Sequence, residues 1–159
     1  MMRYLQGGLL FIMFLVFLSG ISAVAAYTPD ANAFSQQQQE ILKFVNQQRT
    51  AAGVPMLKMA NADATKAAMY RAYEITKSFA HVRPNGAGIH TVLYEYGVKY
   101  SQFAENIAKF SASPSAVVNA WMNSTSHRKS MLRSEYTYAA VGVYQDNNGQ
   151  YYWSLLLIK

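Results

Sequence analysis

The order of elements legible in this sequence predicts an α+β domain. Helix-like segments come first, one strand-like segment interrupts them, and the chain closes with two β-rich runs around Asn148-Gly149, a strong hairpin signal. Regular βαβ alternation, which a parallel Rossmann-type sheet needs, is missing, so layered helices on an antiparallel sheet fit better.

Each element has a local reason. Ser35 with Gln38 three residues on has the form of a capping box, so the first helix begins at Ser35; Ile41, Phe44 and Val45 then share a face, and Gly53 and Pro55 end it. A second helix over residues 61–78 is rich in alanine, which permits close approach to a neighbour, and offers Met69, Tyr73 and Ile75 for packing. Proline and glycine punctuation makes His81-Val82-Arg83-Pro84-Asn85-Gly86 a loop just beyond that helix. A short helix over 89–96, stopped by Gly97, precedes a strand from Phe103 to Phe110 that carries Glu105 and Asn106.

Ser113 as N-cap with Pro114 at the first helical position opens the next helix, where Val117 with Trp121, and Val118 with Met122, stand four apart on adjoining inner faces. Ser126 caps a further short helix holding His127, Met131 and Leu132, and the hairpin joins 139–145 to 151–158.

The chain has 159 residues, 52% of them hydrophobic and 14% charged, and no cysteine. That length suits one domain after removal of a targeting segment. With 12 Tyr, 8 Phe and 2 Trp there is ample surface to bury, which excludes a disordered chain. The net charge of +6 invites a nucleic-acid reading, but only Arg128-Lys129 adjoin and no basic stripe exists to neutralise a row of phosphates, so no nucleic-acid partner is expected.

The amino terminus reads as a cleavable signal peptide over residues 1–25: Arg3, ten unbroken apolar residues over 9–18, and Ala23-Val24-Ala25 as the small-x-small cleavage pattern. The apolar run falls short of the roughly 20 residues of a spanning helix, so membrane contact is expected only through this segment. A linker over 26–34, with Pro29, leads into the domain over 35–159, and 36–39 is a short glutamine run. A secreted or periplasmic protein without disulfides must rely on its core, which favours a bacterial source.

His81, Glu105 and His127 are the titratable residues to watch, two of them beside breaks or caps; His90 lacks such context and belongs on a helix surface. Taken together, Phe79-Ala80-His81-Val82-Arg83-Pro84-Asn85-Gly86, Ala104-Glu105-Asn106-Ile107-Ala108, and Trp121-Met122-Asn123-Ser124 leading to His127-Arg128 and Met131-Leu132 resemble the CAP superfamily of cysteine-rich secretory, antigen 5 and pathogenesis-related proteins. The likeness is closest to its bacterial secreted branch and covers 35–159.

This resemblance implies a three-layer αβα sandwich with a central antiparallel sheet and a wide surface cleft. In the family two histidines, matching His81 and His127, bind a divalent metal, and a strand glutamate matches Glu105. Animal and plant members carry a second glutamate three residues after the helix tryptophan; here that residue is Ser124, so the set of four is incomplete, which weakens the expected metal affinity.

Two histidines suit weakly held zinc, with Glu105 either a third ligand or the carboxylate that fixes one ring's tautomer. A metal-assisted hydrolase, peptidase or esterase, using His81, Glu105 and His127 with a metal-activated water is the alternative; separately, Ser124 and His127 stand three apart and Glu105 could orient the imidazole as the third member of a serine triad, which makes Glu105, His127 and Ser124 the candidate catalytic residues. A third reading has the histidines only pinning loops. The expected module binds a lipid, peptide or cell-envelope ligand in a cleft of His81, Glu105, Asn106, Ser124 and His127. Asn106 ties loops together, Trp121 and Met122 belong to the core, and Arg83 is either an anion contact or solvated. Tyr94, Tyr96, Tyr100, Tyr136, Tyr138, Tyr151 and Tyr152 can form exposed aromatic surface.

Overall fold

A computed structural model describes residues 27–110 and 112–159. The expected signal peptide lies outside the described residues. Helix α1, Ser35–Ala51, buries Gln38, Ile41, Val45 and Arg49, the spacing of one helical face. Its start departs from the capping box. Phe34 is the N-cap, in the left-handed region at φ 61, and no side chain caps the helix. Gln38 faces inward instead, where its amide donates to the Ala33 carbonyl at 3.1 Å and meets Met69 Sδ at 3.3 Å, so it does not reach back to a backbone N–H.

Strand β1, Lys58–Met59, is too short to leave a sequence pattern and was not expected. Helix α2, Ala62–Glu74, is capped by the Asn61 side chain, which accepts from Ala64 N at 3.0 Å. It stops four residues before the expected end: the Thr76 hydroxyl bonds the Tyr73 carbonyl at 2.8 Å, and Thr76 and Lys77 donate three residues back in a closing turn. Helix α3, His90–Glu95, leaves His90 exposed, and strand β2, Phe103–Phe110, has the expected bounds.

Helix α4, Pro114–Asn123, opens as expected, with Ser113 accepting from Ala116 N at 3.4 Å. Helix α5, Thr125–Met131, begins one residue before Ser126, so Ser126 is not its cap; Ser124 holds that place without a side-chain cap bond, its hydroxyl 3.3 Å from that of Ser126. Strands β3, Tyr138–Gln145, and β4, Tyr151–Ile158, form the closing hairpin. Gly149 takes φ +80 in its turn, a conformation that favours glycine.

The sheet order is β1-β3-β4-β2, with β3, β4 and β2 antiparallel and β1 parallel to β3 at the far edge. Alternation along the hairpin separates two cores. Ala139, Val141, Val143, Trp153, Leu155 and Leu157 face α1 and α4 through Ile41, Val45, Val117, Val118 and Trp121. Ala140, Leu156 and Ile158 face α2 and α3 through Ala64, Ala67, Ala68, Val92 and Leu93. The result is an αβα sandwich with a mostly antiparallel sheet. Small residues set the α2 layer: a Cβ on Gly142 would lie 1.9 Å from the Ala68 carbonyl oxygen, so α2 rests directly on the β3 backbone.

Candidate functional site

Because β2 is an edge strand, the helical layers meet around its open side. Its pleat sends successive residues to opposite faces, so Glu105 turns to α2 and Asn106 to α5. Glu105 is buried and held by three bonds: Arg71 Nε donates to Oε1 at 2.8 Å, Arg71 Nη2 lies 3.4 Å from Oε2, and His81 Nδ1 lies 2.9 Å from Oε2. The His81 side chain keeps 54% of its surface exposed, so it joins the buried carboxylate to solvent. The His127 ring lies 6.2 Å from it, centroid to centroid, at a tilt of 59°.

Asn106 fixes the other wall. Its Nδ2 donates to the His127 carbonyl at 3.1 Å, the tie between loops that its residue type suggested, while Oδ1 is buried without a protein partner. Trp121 is core, its indole N–H donating to the Ile107 carbonyl at 3.0 Å. Burial first, and then the neighbouring His81 ring, hold the His127 imidazole below its usual pKa, which keeps a neutral nitrogen ready to accept or ligate at neutral pH.

Behind Glu105 runs a chain of charges that motif reading missed. Arg71 Nη1 donates to Glu74 Oε2 at 2.8 Å, and Arg83 binds Glu74 Oε1 at 2.8 Å, Thr91 Oγ1 at 2.8 Å and Glu95 Oε1 at 2.5 Å. Arg83 is therefore neither solvated nor free for an anionic ligand. Burial works to lower the pKa of both arginines, and the hydrogen bonds and charges of their carboxylate partners outweigh it, so both end above the usual guanidinium value. The available signal was Arg71 and Glu74 set three apart on the face that also carries Ala67 and Ala68.

The serine triad is not assembled. Glu105 bonds His81 and Arg71, the Ser124 hydroxyl meets Ser126, and neither makes a hydrogen bond to the His127 ring. Three hollows of about 520, 440 and 570 Å³ lie elsewhere, none lined by His81, Glu105 or His127.

Among the described residues no group of three His, Cys, Asp or Glu side chains is placed to hold a metal. The donors a metal would meet are two imidazoles, with Glu105 already engaged as the outer carboxylate of His81. With Zn–N of about 2.0–2.1 Å, tetrahedral zinc holds two imidazole centres roughly 5 Å apart; the 6.2 Å observed is slightly wider. The donor set fits a weak site with open positions.

An αβα sandwich with two histidines and a carboxylate gathered at its edge strand defines a CAP-type domain. The chain belongs to the cysteine-rich secretory protein family, CAP, whose model matches residues 42–157. It is 28% identical over 117 residues to the Bacillus subtilis protein YkwD, covering 72% of this chain and 45% of that one. A Bacillus anthracis extracellular protein containing an SCP domain shares the fold at TM-score 0.71 and 24% identity, covering 79% of this chain and 41% of that chain. A cysteine-rich secretory protein from Staphylococcus aureus matches at TM-score 0.64 and 26% identity, covering 78% and 39%. An outer surface protein from Borrelia burgdorferi matches at TM-score 0.70 and 16% identity, covering 84% and 97%. The chain thus spans under half the length of YkwD and of the Bacillus anthracis protein. No helix among the described residues is long and apolar enough to cross a membrane.

Proposed function

We propose that this protein is an exported binding module, secreted or periplasmic, that acts at or outside the cell envelope through the groove of His81, Glu105 and His127. The observation that carries this reading is the His81 ring itself, half exposed yet tied at 2.9 Å to a carboxylate that Arg71 fixes from behind. A recognition group held this way keeps its orientation without losing access to solvent. The extracellular and outer-surface descriptions of structural neighbours support export, as do Arg3, the apolar run over 9–18 and Ala23-Val24-Ala25. The ligand class is a lipid, peptide or envelope component.

A divalent metal, zinc first, is the proposed cofactor, held by His81 and His127; bound, it supplies a Lewis-acidic centre with positions left for a ligand. Glu105 orients His81 by accepting from Nδ1, which leaves Nε2 as the free lone pair of the neutral ring. Ser124 and Glu105 bond elsewhere and not to the His127 ring, which counts against the serine triad.

Calorimetry of zinc with the chain lacking residues 1–25, beside its His81→Ala, His127→Ala variant, tests the cofactor. Heat that disappears in the variant supports it, and no heat in either removes the metal from the proposal. The binding role is tested separately, by incubating the same proteins with envelope extracts; an unaltered chain that retains no lipid, peptide or wall fragment overturns it.

A further inference from the structure

Outside the histidine groove the densest set of reactive side chains is phenolic. Tyr27, just before the turn that leads into α1, stacks on Tyr73 at 4.6 Å and 25°, lies over Tyr70 at 6.3 Å and 27°, and meets Tyr144 edge-on at 5.4 Å and 89°. Tyr70 also meets Tyr73 at 6.1 Å and Tyr96 at 6.2 Å, and Tyr73 meets Tyr144 at 5.4 Å. All the tyrosine–tyrosine ring contacts among the described residues fall in this one cluster, whose five members are each half-buried and so partly in contact with solvent. The chain has no cysteine with which to tie its amino-terminal segment down.

We propose that this cluster is an oxidative modification site at which Tyr27 and Tyr73 join as dityrosine, stapling the segment before α1 to helix α2. Phenoxyl radicals carry their unpaired spin on the oxygen and the ortho and para ring carbons, so coupling needs two rings with carbon faces in contact. The 4.6 Å stack at 25° meets that need; the edge-on contacts of Tyr144 do not, and Tyr70 lies farther from Tyr27. Tyr70, Tyr96 and Tyr144 stand within 6.3 Å of another member, close enough to pass an electron hole along until it reaches the pair that can couple.

The oxidant is hydrogen peroxide acting through a haem peroxidase. Each phenol loses one electron and its proton, the radicals form one ortho carbon–carbon bond, and each ortho hydrogen leaves as a proton while each oxygen regains one. The protein loses two hydrogen atoms, and one peroxide is reduced to two waters.

The test treats the dilute purified protein with peroxide and a haem peroxidase. Expected are dityrosine fluorescence, a monomer lighter by two hydrogens, and a tryptic peptide spanning 72–77 linked to one ending at Lys43. Tyr27→Phe and Tyr73→Phe keep the rings but lose the product, whereas Tyr94→Phe, at an exposed and separate tyrosine, keeps it. No dityrosine, a link mapped to other tyrosines, or only cross-linked dimers overturns the proposal. The map of the unsubstituted protein decides the matter even if a Phe variant fails to fold.

Discussion

Arg71 grips Glu105 through two hydrogen bonds, Nε to Oε1 at 2.8 Å and Nη2 to Oε2 at 3.4 Å, at a place where neither side chain reaches solvent. A buried ion pair adds little net stability over a well-packed apolar pair, but one partner left alone is costly. Arg71→Met therefore leaves the buried Glu105 with only the half-exposed His81 ring and is expected to lower unfolding free energy by about 3–5 kcal/mol. Urea unfolding checks this, and a loss below about 1 kcal/mol would mean that Glu105 finds other partners.

His81→Ala separates site from fold. The ring is half exposed and its removal leaves Arg71 on Glu105, so stability should change by no more than about 1 kcal/mol while zinc heat disappears. Lost stability with unchanged zinc heat would favour the reading in which the histidines only pin loops.

His127 should titrate below the usual 6.5, chiefly through burial and then through His81. The unfolded chain then binds this proton more readily than the folded one, so the stability tied to it is present above pH 6.5 and falls as the pH drops through the folded value. Ring resonances followed by NMR give the midpoint; His81→Ala should raise it only in part, since burial remains.

Tyr27 shifts the other way. Burial first, then Tyr144, Tyr96 and Asp30, push its phenol up to about 12 from 10.0. The folded state keeps the proton longer, so the associated stability is full below pH 10 and declines as the pH rises from 10 towards 12. Thermal melts in that range should show a shallower decline in Tyr27→Phe than in the unsubstituted chain.

Gly142→Ala should be among the most damaging small changes. Its Cβ would sit 1.9 Å from the Ala68 carbonyl oxygen, and backbone on both sides leaves no flexible side chain to yield. A cost of about 3 kcal/mol is expected, read as a lower thermal midpoint. Unchanged melting would mean that α2 lifts freely from the sheet.

Legibility followed locality. Strand β2 has its expected bounds, and α4 starts where Ser113-Pro114 places it. Local chemistry misled where a core offered something better: Gln38 turned inward to Met69 instead of completing a cap, and Arg83 found Glu74 and Glu95 instead of solvent. The tyrosine surface was only partly anticipated. Tyr94 and Tyr138 are exposed, Tyr136 is buried, and the cluster that did form centres on Tyr27, Tyr70, Tyr73 and Tyr144, which no local pattern marks.

From residue order alone come the α+β class, eight of the nine elements among the described residues to within a few residues, and the family likeness, since these rest on periodicity, caps, breaks and motif. Tertiary structure alone decides that β1 pairs parallel with β3 and that Arg71 stands behind Glu105 across 34 residues. Nothing in a local window encodes which face will meet which; burying both faces of the hairpin between two helical layers chooses those partners.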